Sequence, residues 1–534
     1  MKKLSRFLAS ALACISLAAC LPLGEKTVGK TAVAEGYSSV PQGYQKELNE
    51  AMFWEKEDTV NADGTLVPNE GIWIYNYCPT IMQVDDYTRY AYYCSNKNGD
   101  ENAANVHFNV RLDIDGDEIV TDHIAARKGI LYNGEWYWSE KKYVLSPVRG
   151  SWYEGEHLCD PNVIQGDFKY NGTKYKYLMA YLVTSYRQCI YNHICLAVAN
   201  DPMGPWKKCD DINPFVEHIT DEYVDFAGNT IPAVPEEDLK RMRLWGYGQP
   251  SMISVDKKGK ILMFYSAIKP MYAADSNGFW MGAVTQLDRW DLSDLNNPKY
   301  DFGIPFVAPA GLKKNGQQID TMTNGDYAYD PAMNRIYSFY DASWTKEEGT
   351  TGAMLAFVEN ESKSEQAQIG DVFRDFPKED WGTTGIAWRT LAFVKPTDLE
   401  TFPNAHNVAI IRDGYGWVLD PLNIELAITG CKTSAMYEIE PGSWEEKHIW
   451  TYRVLRKTVK VQCRNHKDYT GDYKCDICGK AVEKTDAPQT SAPPQTSESA
   501  GGCFGAIGGG SAAALIAFAT TLLIRKKNKE NEQK

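Results

Sequence analysis

Apolar and polar positions alternate in short stretches along the middle of the chain, and the stretches come in pairs. Tyr175-Lys176-Tyr177-Leu178-Met179-Ala180-Tyr181 reads as a half-buried strand. It follows Asp160-Pro161-Asn162-Val163-Ile164 after the turn signal Asn171-Gly172, so the two predict a hairpin. The unit recurs. Tyr77-Cys78-Pro79-Thr80-Ile81-Met82 precedes Tyr90-Ala91-Tyr92-Tyr93, and Gly248-Gln249-Pro250-Ser251-Met252-Ile253 precedes Lys260-Ile261-Leu262-Met263-Phe264-Tyr265. Looser copies begin at Gly325-Asp326-Tyr327 and at His406-Asn407-Val408. The starts lie about 80 residues apart, longer than common short repeats. Hairpins recurring with long insertions predict an all-β chain built of propeller blades. A helix is predicted only for Gln45 to Glu55, and Ile449 to Leu455 is read as a last strand closing the ring against N-terminal sequence.

The inner-strand opening Asp160-Pro161-Asn162-Val163-Ile164 and the blade end Ala197-Val198-Ala199-Asn200-Asp201-Pro202-Met203-Gly204-Pro205-Trp206 resemble the five-bladed β-propeller glycosidases. These are glycoside hydrolase family 43, with its arabinanases and β-xylosidases, and the related invertases and levansucrases. The resemblance implies a five-bladed propeller over residues 45–458, acting on a glycosidic bond of a polysaccharide or oligosaccharide without a cofactor for catalysis. Such families bring three acidic residues to the axis from successive inner strands. Here Cys78 and Gln249 stand at two of those places, and only Asp160 supplies a carboxylate. Glycoside hydrolysis needs an acid and a second carboxylate as base or nucleophile. Asp160, Glu156 and Asp326 are the candidates for that chemistry; Glu154 and Asp320 are further acids near strand starts. Gln249, His157, His406 and Trp245 are the expected sugar contacts, since an amide hydrogen-bonds a hydroxyl but cannot titrate. A glycan-binding or adhesion propeller that lost its catalytic carboxylates is the alternative.

Composition narrows the partners. Of 534 residues, 12% are aromatic, with 15 Trp and 32 Tyr, which suits strands and sugar stacking. A net charge of -14 argues against nucleic acid, which demands basic patches. No P-loop or dinucleotide fingerprint is present.

Both ends carry membrane signals. Residues 1–35 read as an export signal: Lys2, Lys3 and Arg6 precede the apolar run Phe7 to Ala19. Leu17-Ala18-Ala19-Cys20 resembles a bacterial lipobox, and cleavage after Ala32-Val33-Ala34 is the alternative. Residues 485–502 form a Ser/Thr/Pro linker. Residues 503–526 are long and apolar enough for a transmembrane helix, and Arg525-Lys526-Lys527 holds the tail 527–534 in the cytoplasm. The large domain is therefore expected on the extracellular face of the cell membrane, where disulfides form.

Between linker and propeller, residues 460–484 place Cys463, His466, Cys475 and Cys478 at C-x2-H-x8-C-x2-C spacing. Two such turns can aim four ligands at one structural zinc ion. A disulfide beside a bystander histidine fits the same spacing.

Overall fold

The computed structural model describes residues 36–48, 51–55, 58–64, 66–67, 76–96, 110–112, 118–120, 122–148, 150–185, 191–224, 228, 230–231, 233, 246–272, 279–306, 313–314, 317–318, 324–347, 350–375, 388–395, 404–431, 452–463 and 474–482. It falls into two compact units, Met1–His466 and Lys467–Lys534.

The first unit is all-β in a propeller-like arrangement, with one short helix, Asp371–Arg374, among its described residues. Each sheet is a meander whose first strand comes from one of the repeated stretches. Sheet one is built on Asn76–Asp85, Thr88–Asn96 and Asp122–Tyr132. Sheet two runs His157–Tyr170, Thr173–Thr184, His193–Ala199, Lys207–Lys208. Sheet three runs Gly246–Ser254, Lys260–Tyr272, Phe279–Asp291, Lys299–Phe306. Sheet four runs Gly325–Asp330, Arg335–Glu347, Thr350–Glu359, Arg389–Val394. A three-stranded sheet follows: Asn404–Ile410, Asn423–Cys431, Tyr452–Lys460. The Asn171-Gly172 turn takes positive φ at both residues, as a tight two-residue hairpin connection requires.

Apolar faces of neighbouring sheets bury one another. Ile164, Leu178 and Leu196 of sheet two pack with Met252, Ile261 and Met263 of sheet three. Leu262 and Phe264 meet Tyr327, Ile336 and Tyr340 of sheet four. Met82 and Tyr92 of sheet one meet Val163, Met179 and Tyr181. Ile81, Ala91 and Tyr93 meet Ala409, Ala427 and Val454 of the three-stranded sheet. At roughly 1.5–3 kcal/mol per fully buried large apolar side chain, these interfaces supply the main driving force for assembly.

The N-terminal segment departs from the predicted helix. Gln45–Lys46 is a strand paired with Trp138 and Tyr137, and Ala51 bridges to Leu455. The Met52 N–H donates to the Val454 carbonyl at 3.0 Å. Met52 and Phe53 are buried against Tyr93 and Trp138, and that packing outweighs the local helical pattern. The last strand does meet N-terminal sequence, as predicted.

In the second unit, Lys474 and Ala481 form an antiparallel bridge. Among the described residues no helix is long and apolar enough to cross a membrane. The expected export signal, linker and transmembrane segment lie outside the described residues.

Candidate active site

Four inner strands open with the same backbone device. Cys78, Asp160, Gln249 and Asn407 have φ of 50°, 48°, 45° and 56°, in the left-handed region. At each the pairing register slips, between Tyr77/Thr80, Cys159/Asn162, Gly248/Ser251 and Ala405/Val408. This is a β-bulge, which re-aims a side chain out of the sheet. In three of the four a proline follows, whose missing N–H leaves the ladder nothing to lose at that point. Asn324 (φ 57°) stands in the matching place before sheet four.

Two residues further on, a second polar layer ties the strands together. The Thr80 hydroxyl donates to the Pro161 carbonyl at 2.7 Å. Asn162 Nδ2 donates to Thr80 Oγ1 at 3.2 Å and to Asp326 Oδ1 at 3.4 Å. The Ser251 hydroxyl donates to Asp326 Oδ1 at 2.5 Å, and the Ile410 N–H to Asp326 Oδ2 at 2.9 Å. Fully buried Arg412 sits 3.3 Å from Asp326. Both oxygens of Asp326 are thus engaged inside the fold, where it joins sheets two, three and four to the Asn404–Ile410 strand.

The left-handed layer gathers the chemistry. Asp160 is buried; its Oδ2 accepts the Gln249 N–H at 3.0 Å, and the Cys78 thiol bonds the same carboxylate. Burial pushes the Asp160 carboxyl above its ordinary range, and Cys78, the Gln249 N–H, His157 and His406 pull partly against it. Burial also drives the Cys78 thiol well up, with Asp160 adding to the effect. Cys94 and Cys159 form a disulfide beside it. Asn407 Nδ2 contacts the Cys78 sulfur. Among the described residues, Gln249 Oε1 and Asn407 Oδ1 are buried without a hydrogen-bond partner.

Two histidines flank this carboxylate, each backed by a buried aspartate. His157 Nδ1 lies 3.1 Å from Asp122 Oδ2, which also accepts the Tyr77 hydroxyl at 2.8 Å. His406 Nδ1 lies 3.5 Å from Asp341 Oδ2 and keeps 20% of its side chain exposed. Tyr77 and Tyr452 pack around the His406 ring at 6.0 and 5.5 Å between centroids.

The structure therefore gathers Asp160, Gln249, His157 and His406. Glu156 is half-buried, with its N–H on the Thr184 carbonyl at 3.1 Å. Glu154 is taken up by Lys208 at 2.8 Å. Trp245, Asp320 and His466 lie outside the described residues. Cys463 belongs to the first unit. In the second, Cys475 and Cys478 hold their sulfurs within 4.8 Å of each other, on a turn where the Gly479 N–H donates to the Cys475 carbonyl at 2.8 Å.

Sequence reasoning missed Asp122, Asp341 and Asn407. Asp341 carried a signal, a lone acid in the apolar run Tyr337-Ser338-Phe339-Tyr340-Asp341-Ala342. A cleft of about 520 Å³ lies elsewhere, along the outer strands of sheet three. Its charges pair with one another, Arg289 with Asp371 at 2.6 Å and Arg374 with Asp301.

No family model matches the chain, and no curated protein matches it. Solved structures do. A family 117 glycoside hydrolase from Zobellia galactanivorans overlays with a TM-score of 0.40 at 12% identity, over 77% of this chain and 88% of that one. An α-L-arabinofuranosidase from Lactobacillus brevis gives 0.38 at 9%, over 73% and 92%. An α-L-arabinofuranosidase from Podospora anserina, in complex with cellotriose, gives 0.37 at 10%, over 74% and 94%. Overlays at this level assign neither substrate nor catalytic residues.

Proposed function

We propose that the first unit is a five-bladed propeller, with the three-stranded sheet as its fifth blade, and that it hydrolyses a glycosidic bond at its axis. The observation that carries this reading is the grouping of Asp160 with His406 and His157, each histidine backed by a buried aspartate. Hydrolysis needs one group to take a proton from water and another to give one to the leaving oxygen. Asp160 is the base in this reading. His406, exposed at its edge and oriented by Asp341, is the acid. Gln249 and Asn407 offer amide oxygens to sugar hydroxyls. Asp326, with both oxygens engaged, holds strands rather than moving protons, and half-buried Glu156 remains a further candidate.

The second reading is a glycan binder without turnover. The side chains of Cys78, Gln249 and Asn407 favour it, because none of these positions offers a second carboxylate. Purified protein incubated with a polysaccharide panel separates the two. A hydrolase releases new reducing ends, and Asp160→Asn lowers that release by at least about 100-fold. Retention on a glycan without reducing ends supports the binder. No retention and no release across the panel refutes both.

The extracellular, membrane-anchored placement is part of the same proposal, since polymeric glycans are met outside the cell. Protease treatment of intact cells should release the first unit; protection until detergent is added would refute that placement.

A further inference from the structure

Beside Asp160 lie three sulfurs that hydrolysis leaves unused. The sulfurs of Cys78, Cys94 and Cys159 and a carboxylate oxygen of Asp160 all lie within 4.8 Å of one another, and all four residues are buried. The Cys159 sulfur is 3.1 Å from Asp160 Oδ1. Four zinc-length bonds, about 2.3 Å to sulfur, place tetrahedral ligand atoms about 3.8 Å apart. Opening the Cys94–Cys159 bond frees those two sulfurs to part toward that spacing. Three thiolates and one carboxylate are a donor set for zinc-like divalent ions, and far too soft for calcium or magnesium. The three sulfurs come from three different strands: Cys78 opens sheet one, Cys94 lies on its neighbour, and Cys159 opens sheet two. Their convergence is a product of the fold rather than of a local turn.

We propose that the propeller axis exists in two exclusive states: a disulfide state, with Asp160 uncoordinated, and a reduced state in which Cys78, Cys94, Cys159 and Asp160 bind one zinc-class divalent ion. Reduction of the disulfide by a dithiol consumes two electrons and two protons. It breaks the S–S bond, leaves thiols on Cys94 and Cys159, and turns the dithiol into its own disulfide. Metal binding then displaces the three thiol protons to solvent. The ion takes up Asp160, so the reduced, loaded protein is closed to any other use of that carboxylate. This inference goes beyond the glycan reading and does not depend on it, because metal uptake is measured without a sugar.

The test uses the full chain with Cys475→Ser and Cys478→Ser, which removes the terminal thiol pair. The protein is reduced anaerobically with a trialkylphosphine, which leaves as its oxide, and native thiols are counted. It is then titrated with Co²⁺, whose thiolate complexes absorb in the near ultraviolet. Expected is one Co²⁺ per chain with thiolate charge-transfer absorption, no such uptake before reduction, and at least about tenfold weaker uptake in Cys78→Ser. Cys94→Ser, which cannot form the disulfide, keeps three of the four ligands and should bind Co²⁺ without reductant. A folded, reduced protein that takes up no Co²⁺ overturns the proposal. So does a disulfide that resists reduction in the folded protein, or a loss of fold on reduction that Cys94→Ser shares.

Discussion

Arg453 and Asp58 are joined by two parallel hydrogen bonds, Nη2 to Oδ1 at 2.6 Å and Nε to Oδ2 at 2.8 Å, with neither side chain exposed. The pair links the last strand of the first unit to its N-terminal segment. Close by, buried Glu55 accepts from Arg127 and Asn76 at 3.1 and 2.9 Å and faces Lys141 at 3.2 Å. Burial alone would raise Glu55, but Lys141, Arg127 and Arg453 together bring it down to about 2. The seam is thus closed by charges as well as by the apolar packing of Met52 and Phe53.

Removing one partner of such a pair leaves a buried charge unmatched. Asp58→Ala should lower the free energy of unfolding by about 3–5 kcal/mol. Asp58→Leu combined with Arg453→Met should recover most of that loss. Urea unfolding followed by tryptophan fluorescence measures both, and a loss under about 1 kcal/mol for Asp58→Ala would mean the seam does not depend on this pair.

Acid should destabilise the fold through two histidines. Burial lowers His193 to about 3, with His218 contributing, and lowers His218 to about 4. His193 Nδ1 accepts the His218 backbone N–H at 2.9 Å, a bond the protonated ring cannot make. Both folded values lie below the ordinary 6.5, so the unfolded chain binds more protons in between. The stability is complete above about 6.5 and is lost as pH falls toward 4 and then 3. The expected slope is on the order of 1 kcal/mol per pH unit for each group. Replacing His193 with Gln, which keeps an acceptor, should flatten the curve; an unchanged slope would assign the acid sensitivity to other groups.

The left-handed backbone at Gln249 costs about 1 kcal/mol that glycine would not incur. Gln249→Gly should therefore raise the unfolding free energy by about that much while weakening glycan retention. A variant equally stable and equally retentive would show that neither the backbone strain nor the amide matters there.

For the Cys463, His466, Cys475 and Cys478 motif, elemental analysis of the purified full chain, grown with zinc and with the Cys94–Cys159 disulfide intact, should find close to one zinc per chain. Cys475→Ser should remove most of it. A metal-free chain with a disulfide mapped between Cys475 and Cys478 would refute a zinc site there.

The inner strands were legible because proline, a polar residue before it and an aromatic second strand leave a periodic trace even at long spacing. Sheet four was fainter because Asn324-Gly325-Asp326 lacks the proline. The site was legible only in part. Asp160, Gln249, His157 and His406 lie at or near strand starts, where the repeated stretches made them visible. Asp122 and Asp341 reach the site from second or third strands, and only pairing register brings them in. Asp326 looked like a reactive acid because sequence shows a carboxylate near a strand start but not the Ser251, Ile410 and Arg412 groups that engage it. Gln45 to Glu55 read as a helix because nothing local reveals that Trp138 and Leu455 wait to pair with it.

The bulge shared by Cys78, Asp160, Gln249 and Asn407 works as a socket. Its shape is set by backbone torsions and by the polar layer beneath, so what is plugged into it can be a thiol, a carboxylate or an amide without redrawing the strands. Chemistry at the axis is in that sense modular. Cys78→Asp or Gln249→Glu exchanges one fitting for another, so on the proposed glycan reading a chain that only holds sugar and one that cuts it are separated by side chains rather than by architecture.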